Sequence, residues 1–371
     1  MRKNSFASAP GIVPGAPAQI FAIALAGLAC TLALVARRFL PDRFLLDDHH
    51  ILLNITSPLA DEEKSQSFRN TATFYRTLNL GYEPAVDALL TLFIFTFAVF
   101  AAARWSEIAR FGVVGLIVLG ACFLCAAVYL AQYTKESIPL LLVPLMMTMP
   151  RRVVAEVFFV AAAVVYAVLF RPYWFLVAAF YVVWRVLLPK SRHPAVVALT
   201  LVLLYWLMEL LFTNVLGVGL TDFREEVNDS RAGVEVASLI TDPLSGDGTS
   251  MVPSAALTLL GLLFPVQLFL SGNLFHVFSG AMIAFLWISA GYGIFRARKG
   301  KEAAGRGNTY SLSKTGDSRS LRATRAAALL LAVVSVQAIF EPDFGSYLKH
   351  LTPLLPLFLT LVPLHTMEAA A

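Results

Sequence analysis

The run Ala18-Gln-Ile-Phe-Ala-Ile-Ala-Leu-Ala-Gly-Leu-Ala-Cys-Thr-Leu-Ala-Leu-Val-Ala36 decides the fold class, because it carries no charge and is long enough to cross a bilayer. A membrane-spanning helix needs about 20 mostly apolar residues. Several similar runs follow, and the 371-residue chain is 58% hydrophobic and 14% charged, with a mean hydropathy of +0.72. Soluble domains carry roughly 25% charged residues. The sequence therefore predicts an all-α, polytopic integral membrane protein, a single membrane domain over residues 1–371 with about ten transmembrane helices.

The polar stretch Phe39-Leu-Pro-Asp-Arg-Phe-Leu-Leu-Asp-Asp-His-His-Ile51 follows this first run directly. Ionisable groups at the edge of a membrane-embedded region are often functional. Asp47 and Asp48 are therefore candidate catalytic residues. They would act as general base on a hydroxyl or would hold a divalent cation, the only cofactor that the sequence indicates. The alternative is a pair that only caps a helix. His49 is a candidate substrate contact beside them.

The basic segments between the apolar runs predict the topology, because cytoplasmic loops carry an excess of Lys and Arg. The range 296–325 is rich in both and is predicted to be a cytoplasmic loop. Two large polar loops, 37–83 and 217–253, then face outward as the first and second periplasmic loops. Residues 254–295 are expected to cross the membrane once and to add one re-entrant or interfacial segment.

Further candidate residues lie at the outward ends of the apolar runs. Lys135 and Glu136 could bind a lipid-linked phosphate, with the carboxylate orienting the ammonium, or Lys135 could simply extend towards the interface. Arg171 is a candidate phosphate ligand with Tyr173 beside it, although Arg171-Pro-Tyr-Trp174 is also typical of a tight turn with interfacial aromatics.

The second outer loop and the last polar segment add four more candidates. Arg224 and Arg231 are seven residues apart, so on a helix they share a face that suits a polyanionic substrate; a solvated loop helix is the alternative. Lys349 and His350 precede the last apolar run and are expected to close over the same cavity. Glu209, within an apolar run, is a functional candidate or a hydrogen-bonded structural acid.

Several function classes find no support in the sequence. The net charge of +5 is spread over loops in the manner of the positive-inside rule, so no nucleic-acid partner is expected. The three cysteines lie in apolar runs and are interpreted as buried small side chains, and no metal site is assigned. Phosphate-binding, dinucleotide-binding, kinase and hydrolase motifs were not found, which leaves cytoplasmic nucleotide chemistry unsupported.

Taken together, these segments resemble bacterial O-antigen and exopolysaccharide polymerases, integral inner-membrane proteins with an architecture like that of GT-C glycosyltransferases. The resemblance is diffuse, covers most of the chain and departs from the family in the shorter length and in Lys349, where an Arg is more usual. It depends on the acidic pair, the large loop from Arg224 to Arg231 and four segments: Phe74-Tyr-Arg-Thr-Leu-Asn-Leu-Gly81, Thr134-Lys-Glu136, Arg171-Pro-Tyr-Trp174 and Gly345-Ser-Tyr-Leu-Lys-His350.

The resemblance implies a reaction on the periplasmic face of the bacterial inner membrane. The donor would be an undecaprenyl-diphosphate-linked glycan, and the acceptor a hydroxyl of a second lipid-linked repeat. Asp47 or Asp48 would activate that hydroxyl, while Lys135, Arg171 and Arg224 would neutralise the diphosphate leaving group. The partners would be this substrate, the membrane and other polysaccharide assembly proteins. A flippase or transporter of lipid-linked glycans and a non-catalytic partner of an export complex are the alternatives.

Overall fold

The computed structural model describes residues 16–41, 44–57, 66–191, 193–229, 238–240, 244, 250–305 and 314–364. Over these ranges the chain forms helices joined by short connections, and the only β-pairing is two isolated bridges, Phe111 with Leu364 and Leu239 with Asp343. The predicted all-α class is confirmed.

The longer helices of the described ranges are α1 (Ala16–Phe39), α2 (Leu46–Thr56), α3 (Gln66–Thr77), α4 (Pro84–Ala102), α6 (Val113–Cys125), α9 (Val153–Leu169), α10 (Trp174–Leu187), α11 (Pro194–Leu211), α13 (Val252–Leu263), α15 (Leu274–Gly305) and α16 (Lys314–Phe340). The shorter ones are α5 (Trp105–Ile108), α7 (Ser137–Leu140), α8 (Leu142–Thr148), α12 (Asp222–Asp229), α14 (Val266–Leu270), α17 (Phe344–Leu351) and α18 (Pro356–Leu361). Turns of π-helix extend α6 over Ala126–Leu130 and α11 over Phe212–Leu216, and a turn of 3₁₀-helix, Thr352–Leu354, follows α17.

Six helices among the described residues are long and apolar enough to cross a membrane: Ala16–Phe39, Pro84–Ala102, Val113–Leu130, Pro194–Leu216, Leu274–Arg296 and Ser318–Phe340. Their length and composition are those of a helical membrane protein. Four further apolar helices are shorter, at 137–148, 153–169, 174–187 and 252–263. The six long helices fall short of the predicted count of about ten, which stays a prediction.

Helix α16 forms the centre of the bundle. Within its apolar part 72% of the residues are buried, against 17% for Pro194–Leu216 at the periphery. It packs against α10, α13 and α18 through a face rich in Ala, Val and Leu. Helix α1 contacts α4 and α6 through Ala22, Ala29 and Ala33, small side chains that allow membrane helices to approach closely.

Two interrupted helices face each other at one end of this bundle. The first passes from α6 and its π-helical turn through an irregular segment, 131–136, into α7 and α8, which contain Pro139 and Pro144. The second is α17, the 3₁₀ turn with Pro353, and α18. Proline removes a backbone donor and breaks a helix. Irregular backbone of this kind is tolerated at membrane depth where protein buries it or where it lines a cavity.

The predicted loops contain more helix than the sequence indicated. The range 37–83 holds α2 and α3. In the range 296–325, α15 continues to Gly305 and α16 begins at Lys314. The basic residues at the end of α15 and at the start of α16 therefore belong to helices. The membrane side of each loop stays a prediction.

Candidate functional site

A cavity of about 360 Å³ lies where the two interrupted helices meet the hairpin of α2 and α3. Six of the candidate residues named from the sequence line it: Asp47, Lys135, Arg171, Tyr173, Lys349 and His350. They come from four different parts of the chain. The cavity is completed by Phe68, Val227, Gln337, Phe340, Glu341, Pro342 and Ser346.

Lys135 is the least satisfied cation of this cavity. Its side chain is buried, and its Nζ atom lies 3.3 Å from the ring centroid of Phe68 in a cation–π contact. Within the part of the chain that the structure describes, no carboxylate forms a salt bridge with it. Burial, reinforced by the nearby Arg171 guanidinium, lowers the pKa of Lys135 to about 7, against the attraction of Asp47 and Glu136. Lys135 is therefore a cation placed to receive an anion.

Helix α3 and the irregular segment fix the place of Lys135. The Tyr75 hydroxyl of α3 donates to the Thr134 carbonyl at 3.0 Å, and the Thr134 N–H lies 3.2 Å from the same hydroxyl oxygen. Ser67, near the start of α3, donates to the Phe170 carbonyl at 2.5 Å. These hydrogen bonds join α3 to the irregular segment 131–136 and to the end of α9, and they hold Phe68 against Lys135.

Asp47 lines the cavity as the partner of a second lysine. Its Oδ2 atom accepts a hydrogen bond from Lys349 Nζ at 2.5 Å, in the last turn of α17. Burial raises the pKa of the Asp47 carboxyl, but the Lys349 ammonium, with help from Arg171 and Lys135, outweighs it and holds the pKa below its ordinary value. A carboxylate held in this way is a weak proton acceptor near neutral pH. Its geometry favours anchoring Lys349.

A chain of alternating charges forms the other wall of the cavity. Arg171 donates to Glu136 in a salt bridge, His350 Nε2 lies 3.5 Å from the same Glu136 oxygen, and His350 Nδ1 lies 2.8 Å from Glu341 Oε2. Burial opposes ionisation of both acids. For Glu136 the cations Arg171, His350 and Lys349 prevail and the pKa is lowered, whereas for Glu341 burial prevails and the pKa is raised.

Asp48, the other half of the predicted acidic pair, points away from the cavity. It is buried, pairs with Arg37 at the end of α1 and accepts a hydrogen bond from the Tyr133 N–H at 2.8 Å. Adjacent positions on a helix do not face each other, so the two carboxylates serve different surroundings. Asp47 and Asp48 do not cap α2 either, because its N-cap residue is Leu45.

The remaining candidates do not line the cavity. His49 is exposed. Arg224 is fully buried and donates to the Ala338 carbonyl at 2.9 Å, which ties α12 to α16. Arg231 lies outside the described residues. Glu209 is half-buried and accepts hydrogen bonds from the Ser250 hydroxyl and the Met251 N–H at 2.8 and 2.7 Å, the structural role that the sequence left open for it.

The sequence by itself indicated no role for three of the residues that line the cavity. Gln337 and Phe340 of α16 line the cavity, and so does Phe68 of α3. Gln337 interrupts an apolar run, a signal of the kind that marks functional polar residues in membranes. Asp87, in the first turn of α4, is likewise buried, and its Oδ2 atom has no hydrogen-bond partner among the described residues.

The described residues contain no group of three or more His, Cys, Asp or Glu side chains that could hold a metal ion. The cation-binding interpretation of Asp47 therefore gains no support from the geometry. Cys122 and Cys125 are buried in the core as small side chains, in agreement with the sequence.

Comparison with known proteins returned no match, neither a family model nor a curated protein nor a solved structure. The fold and the cavity themselves define the class of protein: a helical membrane protein with a buried, charged site at one end of its bundle.

Proposed function

We propose that this protein is a membrane glycosyltransferase of the polysaccharide polymerase type, and that its cavity binds the diphosphate of a lipid-linked glycan. The observation that carries the proposal is Lys135, a buried cation without a carboxylate partner among the described residues, next to the paired cations Arg171 and Lys349. A desolvated ammonium without a counterion is electrostatically costly unless an anion binds there. The cavity volume lies in the usual range for small-ligand sites.

The arrangement suits a leaving group that gains negative charge. In glycosyl transfer the acceptor oxygen forms a bond to the sugar carbon, and the bond from that carbon to the phosphate oxygen breaks, so the electron pair leaves with the diphosphate. Lys135, Arg171 and Lys349 would stabilise that charge by electrostatic attraction. Glu136 and Asp47 keep two of these cations fixed in place, which avoids reorganisation during the reaction.

The finer topology belongs to the same proposal. The four shorter apolar helices would supply further crossings, to a total of about ten. The cavity would face the periplasm of a bacterial inner membrane, below the cap formed by α2 and α3. Its partners would be lipid-linked repeats and other polysaccharide assembly proteins.

The test is binding of undecaprenyl diphosphate to the purified protein in lipid nanodiscs. We expect wild type to bind it and Lys135→Met to bind at least tenfold more weakly, about 1.4 kcal/mol, because the unpaired cation is lost. Lys190→Met, on an exposed lysine distant in the chain, is the matched control and should bind as wild type does. Absence of binding by wild type, or equal binding by both variants, would contradict the proposal.

Cells provide the second measurement. A deletion strain of the source bacterium that carries the Lys135→Met gene should accumulate single lipid-linked repeats and lack long-chain surface glycan, at normal levels of the membrane protein. The Lys190→Met strain should make polymer. A normal chain-length profile in the Lys135→Met strain would argue for the non-catalytic export partner.

A transporter of lipid-linked glycans is the second candidate, and Asp87 is the observation that favours it. A buried acid in a candidate membrane span is typical of ion-coupled transport. Proteoliposomes separate the two functions: a transporter moves the lipid-linked glycan between leaflets without lengthening it, whereas a polymerase lengthens it.

A further inference from the structure

The inner wall of the cavity carries polar atoms that the described residues leave unsatisfied. Gln337 lies in the last turn of α16, and Glu341 follows the helix directly, with its N–H donating to the Gln337 carbonyl at 2.8 Å. Both side chains line the cavity and both are almost fully buried, at 2% and 3% exposure. Neither amide atom of Gln337 nor the Oε1 atom of Glu341 has a hydrogen-bond partner among the described residues.

Buried polar groups in native proteins are nearly always hydrogen-bonded, because an unsatisfied one destabilises the fold by about 1–3 kcal/mol. Three such atoms on one wall of a cavity therefore indicate a ligand that supplies donors and acceptors. A sugar hydroxyl does both. The adjoining rings of Tyr173 and Phe340, nearly parallel at 22° with centroids 6.0 Å apart, add the flat apolar surface that sugars contact.

Glu341 differs from the other acids of the cavity in how it is held. Asp47 is paired with a lysine and Glu136 with an arginine, two permanent cations. Glu341 is bonded through Oε2 to the imidazole of His350, 2.8 Å away, and its other oxygen has no hydrogen-bond partner within the described ranges. An imidazole bonded to one oxygen orients a carboxylate and leaves the second oxygen available to accept a proton.

We propose that Glu341 accepts the proton of the acceptor hydroxyl, with His350 as a positioning residue and Gln337 as a hydrogen-bonding partner of the same hydroxyl. The inference rests on the proposed function and replaces Asp47 and Asp48 in the role that the sequence gave them. The hydroxyl O–H bond breaks and its proton goes to Glu341 Oε1. The freed electron pair forms the bond to the sugar carbon, and the bond from that carbon to the diphosphate oxygen breaks.

The electrostatics agree with this assignment. Burial raises the pKa of Glu341, opposed by His350 on α17 and by Arg171 and reinforced by Asp343. A general base works best when its pKa approaches the working pH. The pKa of Asp47 is shifted the other way by Lys349. The carboxyl beside the unsatisfied amide is thus one whose pKa is raised by burial, unlike that of Asp47.

Glu341→Gln separates binding from proton transfer, because it keeps the shape of the side chain and removes its basicity. We expect undecaprenyl diphosphate to bind within about twofold of wild type, while polymer formation in membranes carrying accumulated lipid-linked repeats falls at least about a hundredfold, the usual contribution of a general base. The matched control is Glu83→Gln, on an exposed acid, which should retain polymer formation.

A second variant covers the case in which the glutamine substitution disturbs the fold. Glu341→Ala leaves room for a small carboxylate, so added formate should restore part of the lost polymer formation, and chloride should not. A purely structural role would show no such rescue. Failure of wild type to bind the diphosphate overturns the proposed function, whereas binding together with unchanged polymer formation in Glu341→Gln, or absence of rescue by formate, overturns the role of Glu341 alone.

Discussion

Helix α16 has a charged cavity near each end, and the two differ in how their cations are satisfied. At its N-terminal end, Arg325 donates to Glu156, at 2.9 Å, and to the carbonyls of Met146, Met149 and Pro150 at 2.7–3.1 Å. Arg322 donates to the Ala102 carbonyl at 3.0 Å and to a carboxylate of α5. At the C-terminal end, Lys135 contacts the Phe68 ring and forms no salt bridge among the described residues.

The two cavities differ in size as well as in how their cations are paired. The cavity beside the arginines is the larger of the two, about 500 Å³ against about 360 Å³. Arg322 and Arg325 are already committed to carbonyls and carboxylates, because helix ends expose unsatisfied carbonyls that a guanidinium can bind. They hold α16 to the ends of α4 and α8. The smaller cavity holds Lys135, which forms no salt bridge within the described part of the chain.

Replacement of Arg325 should produce the largest loss of stability. Arg325→Met removes the donors for three carbonyls and one of the two cations that pair with Glu156, and removing one partner of a buried ion pair costs up to about 3–5 kcal/mol of unfolding free energy. We expect little folded protein in detergent and a strongly lowered thermal midpoint. A midpoint close to that of wild type would remove the distinction drawn between the two ends.

Lys135→Met should change the free energy of unfolding in the direction opposite to that of Arg325→Met. The substitution removes a buried charge that no carboxylate pairs with and keeps an unbranched apolar chain against Phe68, so the free energy of unfolding should stay the same or rise by about 1 kcal/mol. Thermal unfolding in the same detergent measures it, and the Arg325→Met protein gives the contrast. A loss of stability comparable to that of Arg325→Met would mean that Lys135 is a structural cation too.

The smallest expected effect is the pH dependence of diphosphate binding. Because Lys135 has a pKa of about 7, it is charged below that pH and neutral above it, so its contribution to diphosphate binding should fall as the pH rises from 6 to 8.5. The decline attributable to Lys135 should not exceed about tenfold per pH unit. Lys135→Arg stays charged throughout and should abolish this decline. An identical pH profile for the two proteins would show that another group, such as the diphosphate itself, controls the pH dependence.

The sequence alone determined the helical membrane class and six of the thirteen residues that line the cavity. Uninterrupted apolar runs can be stable in only a few ways, since every backbone polar group in a bilayer must be satisfied within the chain. Ionisable residues are also rare enough near such runs to draw attention to Asp47, Lys135, Arg171, Lys349 and His350.

Only the tertiary structure decided what each of these groups does. Asp47 and Lys349 are 302 residues apart in the chain, and no local pattern relates them. Asp47 and Asp48 are adjacent yet point to different partners, because consecutive positions on a helix face different directions. Whether a charge is a ligand for something else or a fixed part of the fold depends on which distant groups satisfy it. That is settled by packing, as the contrast between Lys135 and Arg325 shows.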